Sequence, residues 1–81
     1  MKILYFAWVR ERIGEPSEVI ETNAETVRDL IEELIAKGDR YEAAFADLRA
    51  IRVALDQDLT DFDAPLKGHN EVAFFPPMTG G

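Results

Sequence analysis

Apolar residues fall in short runs along the chain, and the period of each run limits the element it can form. The opening run Ile3-Leu4-Tyr5-Phe6-Ala7-Trp8-Val9 is rich in aromatic and β-branched residues and is followed by Arg10-Glu11-Arg12. That composition predicts a strand over residues 3–9. Apolar side chains occupy both parities, so both faces of this strand must be covered. With Ile3, Tyr5 and Ala7 turned toward a helix, alternation puts Leu4, Phe6 and Trp8 on the other face. Gly14-Glu15-Pro16-Ser17 reads as a turn, and Glu18–Thr22 as a second strand closing a hairpin.

The clearest element follows. Val27, Leu30, Ile31, Leu34 and Ile35 repeat at helical spacing, which makes one apolar stripe. Thr26 is a good N-cap, and the charge of Asp29 suits the first turn. Arg28–Glu32 and Glu33–Lys37 are predicted as opposite-charge pairs one turn apart, and Gly38 as the stop. Asp39 can cap a second, shorter helix that turns Tyr41, Phe45 and Leu48 inward. Ile51–Leu55 then reads as a strand and Asp56-Gln57-Asp58 as a turn. Asp61–Pro65 is a polar connection and Gly68-His69-Asn70 another turn. Glu71–Phe75 forms the last strand, ended by Pro76 and Pro77, which cannot donate to a ladder. The expected class is α+β: a mixed sheet with a hairpin at each end, one main crossover helix and a short second helix. In the last strand, alternation buries Val72 and Phe74 and exposes Ala73 and Phe75. Phe6 and Phe75 then share an exposed apolar face of the kind that marks an interface.

Composition narrows the function. The sequence has 81 residues, with 9 Lys+Arg against 16 Asp+Glu, a formal charge of −7, one His and no Cys. It fits one small domain. Without Cys there is no thiolate nucleophile and no Cys-based metal site. The acidic balance argues against nucleic acid and anionic membrane as partners. No run approaches a membrane-spanning length and no signal-peptide pattern opens the chain, so a cytoplasmic location is expected. Asp56, Asp58, Asp61 and Asp63 lack the central Gly and terminal Glu of a calcium loop, so no metal is expected. His69 reads as a surface histidine. A chain this size does not comfortably enclose a substrate pocket, which usually needs about 300 Å³ or more.

The informative segment is the last. After Glu71 there is no ionisable side chain. Pro76-Pro77 stiffens the exit from the sheet, while Gly80-Gly81 has no Cβ and fits a channel one backbone wide. The expected division is a domain over residues 1–76 and an extended tail over 77–81.

The element order with Gly80-Gly81 resembles the β-grasp, or ubiquitin-like, fold. Within it the chain is similar to the small-subunit family of molybdopterin synthase, which are sulfur carriers. The resemblance covers essentially the whole chain. It rests on Leu4-Tyr5-Phe6-Ala7 with Val9-Arg10-Glu11 and Gly14, on Thr26-Val27 with Leu30, and on Val53-Ala54-Leu55 before Gln57. It rests most on Glu71-Val72-Ala73-Phe74-Phe75-Pro76-Pro77-Met78-Thr79-Gly80-Gly81. The family usually has Asn where Asp56 stands, an Asp-Gly-Asp turn where this chain has Gly68-His69-Asn70, and Val where Met78 stands.

The resemblance implies chemistry at the Gly81 carboxylate. A partner adenylating enzyme would spend ATP to activate it. A sulfur donor, such as a cysteine desulfurase or a rhodanese-like protein, would convert it to a thiocarboxylate. In the large synthase subunit that sulfur would attack a cyclic pyranopterin precursor and build a dithiolene. No cofactor would be bound permanently, and the acid–base residues would lie on the large subunit. The chain would then be the sulfur-donating half of an enzyme. Pro76, Pro77, Met78, Thr79 and Gly80 would thread the tail. Arg10 and Leu59 match family positions at the partner contact and join Phe6 and Phe75. Other readings remain open: a sulfur carrier for thiamine or tungsten-cofactor synthesis, a ubiquitin-like interaction module with a passive tail, or a modifier joined through Gly81 to lysines.

Overall fold

The computed structural model describes residues 1–77. Strand β1 is Lys2–Tyr5, helix α1 Ala7–Ile13, β2 Ser17–Val19, α2 Val27–Ile35, α3 Asp39–Ala44, β3 Arg52–Leu55, β4 Asp58–Thr60 and β5 Glu71–Phe75, with a 3-10 turn at Leu48–Ala50. The strands form one five-stranded sheet in the order β2-β1-β5-β3-β4. The central pair β1–β5 is parallel and the other neighbours are antiparallel. A mixed sheet gripping a crossover helix is the β-grasp arrangement expected.

The core lies between one sheet face and the helices. Ile3, Tyr5, Val53, Leu55, Val72 and Phe74 reach it from the sheet, and Val27, Leu30, Ile31 and Leu34 from α2. These four are the predicted stripe of α2, while Ile35 is only partly buried at its edge. Thr26 Oγ1 caps the helix by accepting the Asp29 N–H at 3.2 Å. Phe45 meets Phe74 edge-on at 5.0 Å, anchoring α3 to the middle strand, a favoured aromatic geometry.

Two elements depart from expectation. The opening strand stops at Tyr5, and residues 7–13 form α1. Val9 and Ile13, one helical turn apart, are fully buried, so tertiary burial overrides the strand preference of the local residues. Gly14, at φ 91°, ends α1 and donates its N–H to the Arg10 carbonyl at 2.7 Å. The strand β4 was also unforeseen. Asp56 and Gln57 both have positive φ (48° and 75°) and close a two-residue hairpin that fits the twist of its strands.

Smaller corrections concern capping and charge. Helix α2 ends at Ala36 in right-handed conformation, and Gly38, not Asp39, is the N-cap of α3. The ion pairs predicted along α2 are replaced by bonds to other elements. Arg28 meets Asp63 at 2.9 Å and Lys37 meets Glu18 at 2.6 Å, while Glu33 accepts the Thr22 hydroxyl.

Glu18 is the polar organiser of the fold. It stands opposite Ile3 on β2, so its side chain turns toward the helix side of the sheet. One carboxylate oxygen accepts the hydroxyls of Tyr5 and Tyr41 at 2.8 and 2.9 Å, and the other accepts Lys37 Nζ. Partial burial pushes this carboxyl up, but the hydrogen bonds from Lys37, Tyr5 and Tyr41 together hold it below its ordinary value. Burial, and then the Glu18 bond, pushes the Tyr5 phenol well up. The edge strand β2 is thereby tied to α2 and α3.

Candidate functional site: an open sheet face beside the tail root

The sheet face opposite the helices carries no covering element among the described residues. Its residues follow from the register. Leu4 lies opposite Ala73, Ala73 opposite Ala54, and Ala54 opposite Leu59, so these four form one apolar row across four strands. Leu59 is 71% exposed at its end. Phe75 stands opposite Arg52, two residues along β5 from Ala73, and is half-buried. Ala73 corrects the expectation of exposure: it is only 9% exposed, because its methyl group is short and lies between Leu4 and Ala54 on the flanking strands.

Phe6 joins this face from the end of β1. Its N–H donates to the Phe74 carbonyl at 3.1 Å, and its ring is 46% exposed. Its own carbonyl accepts the Arg10 N–H at 3.3 Å, so Arg10 stands one turn above it, exposed. Phe6, Arg10 and Phe75 therefore gather where β5 hands over to Pro76 and Pro77, both half-buried. Leu59 shares the face but sits two strands away from β5, about 10 Å at normal strand spacing. Met78, Thr79, Gly80 and Gly81 lie outside the described residues.

Two predicted orientations do not hold. Ala7 is exposed rather than turned to the core, and Trp8 leaves the Phe6 face to pack partly against the core from α1. Alternation runs through the extended Phe6 and breaks at Ala7, whose φ is 53°. Sequence reasoning also missed Val19, 77% exposed and paired with Lys2 on the open face. The inward position of charged Glu18 concealed the parity of β2.

The family model described as the ThiS family matches residues 3–81. The chain is 41% identical over 81 residues to the molybdopterin synthase sulfur carrier subunit of Escherichia coli, covering 100% of this chain and 99% of that one. It is 36% identical to the same subunit of Haemophilus influenzae, again covering 100% and 99%. The chain belongs to the ThiS family, with the molybdopterin synthase sulfur carrier subunits. Among solved structures, SAMP1 from Haloferax volcanii superposes with a TM-score of 0.78 at 23% identity, covering 100% of this chain and 98% of that one. A putative molybdopterin converting factor subunit from Pyrococcus furiosus gives 0.66 at 24% identity, covering 95% of each chain. Both support the β-grasp fold.

Two of the expected departures from the family pattern, Asp56 and the Gly68-His69-Asn70 turn, meet in space. Asp56 Oδ2 lies 2.8 Å from His69 Nδ1, and Oδ1 accepts the N–H groups of Asn70 and Glu71, each at 3.1 Å. The His69 bond, then the backbone bond from Asn70, holds the Asp56 carboxyl below its ordinary value. The substituted turn residues therefore still staple the β3–β4 hairpin, which carries Leu59, to the start of β5. Among the described residues no group of three or more His, Asp or Glu side chains could hold a metal ion, and no helix is long and apolar enough to cross a membrane.

Proposed function

We propose that Gly81 carries the sulfur and that the open sheet face docks this chain onto the large subunit of molybdopterin synthase. The observation that carries the reading is the convergence of Phe6, Phe75 and Arg10 at the root of the tail. A partner that takes the tail must cover this end of the sheet, and an uncovered apolar row ending in exposed Leu59 offers it a surface.

The chemistry belongs to the main chain. A carboxylate is a poor electrophile, so the adenylating enzyme joins it to the phosphorus of ATP and releases pyrophosphate. The outer sulfur of a persulfide on a desulfurase or rhodanese-like donor then attacks the acyl carbon and AMP leaves. A second thiol cleaves the resulting acyl disulfide, freeing the thiocarboxylate and leaving the donor cysteine in a disulfide with that thiol. The resulting thiocarboxylate is a nucleophile at neutral pH, and its sulfur attacks the pyranopterin precursor held by the large subunit. Water then cleaves the thioester so formed, leaving the sulfur on the pterin and returning a Gly81 carboxylate, and two such transfers build the dithiolene. Acid–base work falls to the large subunit, and the setting is the cytoplasm. The sulfurtransferase is then the assembly rather than this chain alone.

The test is a reconstituted synthase. Phe75→Ala should weaken assembly while sulfur transfer recovers at high subunit concentration. Deletion of Gly81 should leave assembly measurable and abolish transfer. Transfer by the deleted chain would overturn the reading.

A further inference from the structure

The chain turns sharply at Ala7. This residue has φ 53°, a left-handed conformation that costs a non-glycine residue about 1–2 kcal/mol. The turn separates two aromatic neighbours. Phe6 remains with the open sheet face, while Trp8 enters α1 and lines a groove of about 320 Å³ on the helix side. Arg12, one turn after Trp8, lies over its ring at 4.9 Å. Ala43, Ala46 and Ala50 supply short walls, and Asp47, paired with Arg49 at 3.1 Å, completes the lining.

This groove flanks the tail root from the other side. Trp8 is two residues beyond Phe6, whose N–H is bonded to the Phe74 carbonyl. Ala50 is two residues before Arg52, which stands opposite Phe75. The four residues after Pro77 can span at most about 14 Å. A protein that grips Gly81 therefore stands within that distance of Pro77 at the root of the tail. The groove is continuous with the proposed docking face through the Phe6–Ala7–Trp8 elbow. Its rim holds an exposed guanidinium with one long hydrogen bond, Arg12 to the Ala43 carbonyl at 3.4 Å.

We infer that the Trp8 groove is a second contact for the large subunit, taking one apolar side chain beside a carboxylate that pairs with Arg12. The chemistry fits on both counts. The walls are mainly methyl groups and an indole, which favour an apolar insert, and the Asp47 charge is taken up by Arg49. Among the described residues Arg12 has no carboxylate partner, so its charge suits an acidic partner residue. The inference rests on the docking reading above, and the sheet face and the groove would clasp the tail root from opposite sides.

Two exposed positions test it without touching the core. Binding of Arg12→Glu and of Ala46→Glu to the purified large subunit is measured by calorimetry, with Phe75→Ala as the sheet-face control. Each groove variant should raise Kd about tenfold or more while keeping the wild-type melting temperature. Unchanged Kd in both, with Phe75→Ala weakened, would overturn the groove and leave the sheet face standing. Unchanged Kd in all three would overturn the docking reading as well. Weakened binding only to the adenylating enzyme would also overturn the inference, because the groove would then serve that partner.

Discussion

His69 Nδ1 and Asp56 Oδ2 lie 2.8 Å apart, joining the β3–β4 turn to the residue pair that opens β5. Asp56 also holds the backbone of Asn70 and Glu71. Its carboxyl sits below the ordinary 3.8 in the folded chain because of the His69 bond and the backbone bonds. A depressed folded value contributes stability above the unfolded pKa, lost as pH falls through the folded one. Asp56→Ala should therefore be less stable than wild type at neutral pH, and the difference should shrink below about pH 4. Asp56→Asn keeps an acceptor and tolerates positive φ, so it should fall between them. Melting temperature against pH checks the order.

Glu18 offers a sharper acid response, since it is more enclosed. Its carboxyl lies below the ordinary 4.5 because the Lys37, Tyr5 and Tyr41 bonds outweigh the effect of burial. The contribution is complete above pH 4.5 and is lost as pH falls through the depressed value. Glu18→Gln should cost about 1–3 kcal/mol at pH 7, from weakened charge-assisted hydrogen bonds. In urea titrations its gap from wild type should narrow below pH 4.5.

Ala7 should respond to glycine in the opposite sense to an ordinary helical alanine. At φ 53° glycine removes the left-handed penalty. Ala7→Gly should be neutral or stabilising, whereas Ala→Gly inside a regular helix costs about 1 kcal/mol. Ala7→Val should lose at least about 1 kcal/mol. Urea midpoints of the two variants decide it.

Leu59 separates binding from folding. Because it is 71% exposed, Leu59→Asp should change stability by no more than about 0.5 kcal/mol yet weaken binding to the large subunit. Phe75→Ala should cost more, about 2 kcal/mol or about 30-fold in Kd, while unfolding stays cooperative. Calorimetric titration reads both.

The legibility of the fold varied with the length of the signal. Helix α2 starts and strand β5 ends where their sequence patterns place them, because Thr26 is a definite cap for one and Pro76 a definite stop for the other, while α2 ends at Ala36, short of the expected Gly38. Helix α1 was hidden because its aromatic and β-branched residues favour a strand until Val9 and Ile13 find the core. The hairpin at Asp56-Gln57 lacks the glycine that usually announces such a turn. The partners of Arg28 and Lys37 lie on distant elements, which no spacing rule along one helix can reveal. Phe6, Phe75 and the alternation behind them were readable, but the displacement of Trp8 to a separate groove followed from one backbone angle at Ala7.

The most direct test of sulfur carriage is the intact mass of this chain after incubation with ATP, an adenylating enzyme and a sulfur donor. The account predicts a gain equal to exchange of one oxygen for sulfur, dependent on ATP and absent when Gly81 is deleted. No gain, or the same gain without Gly81, would contradict it.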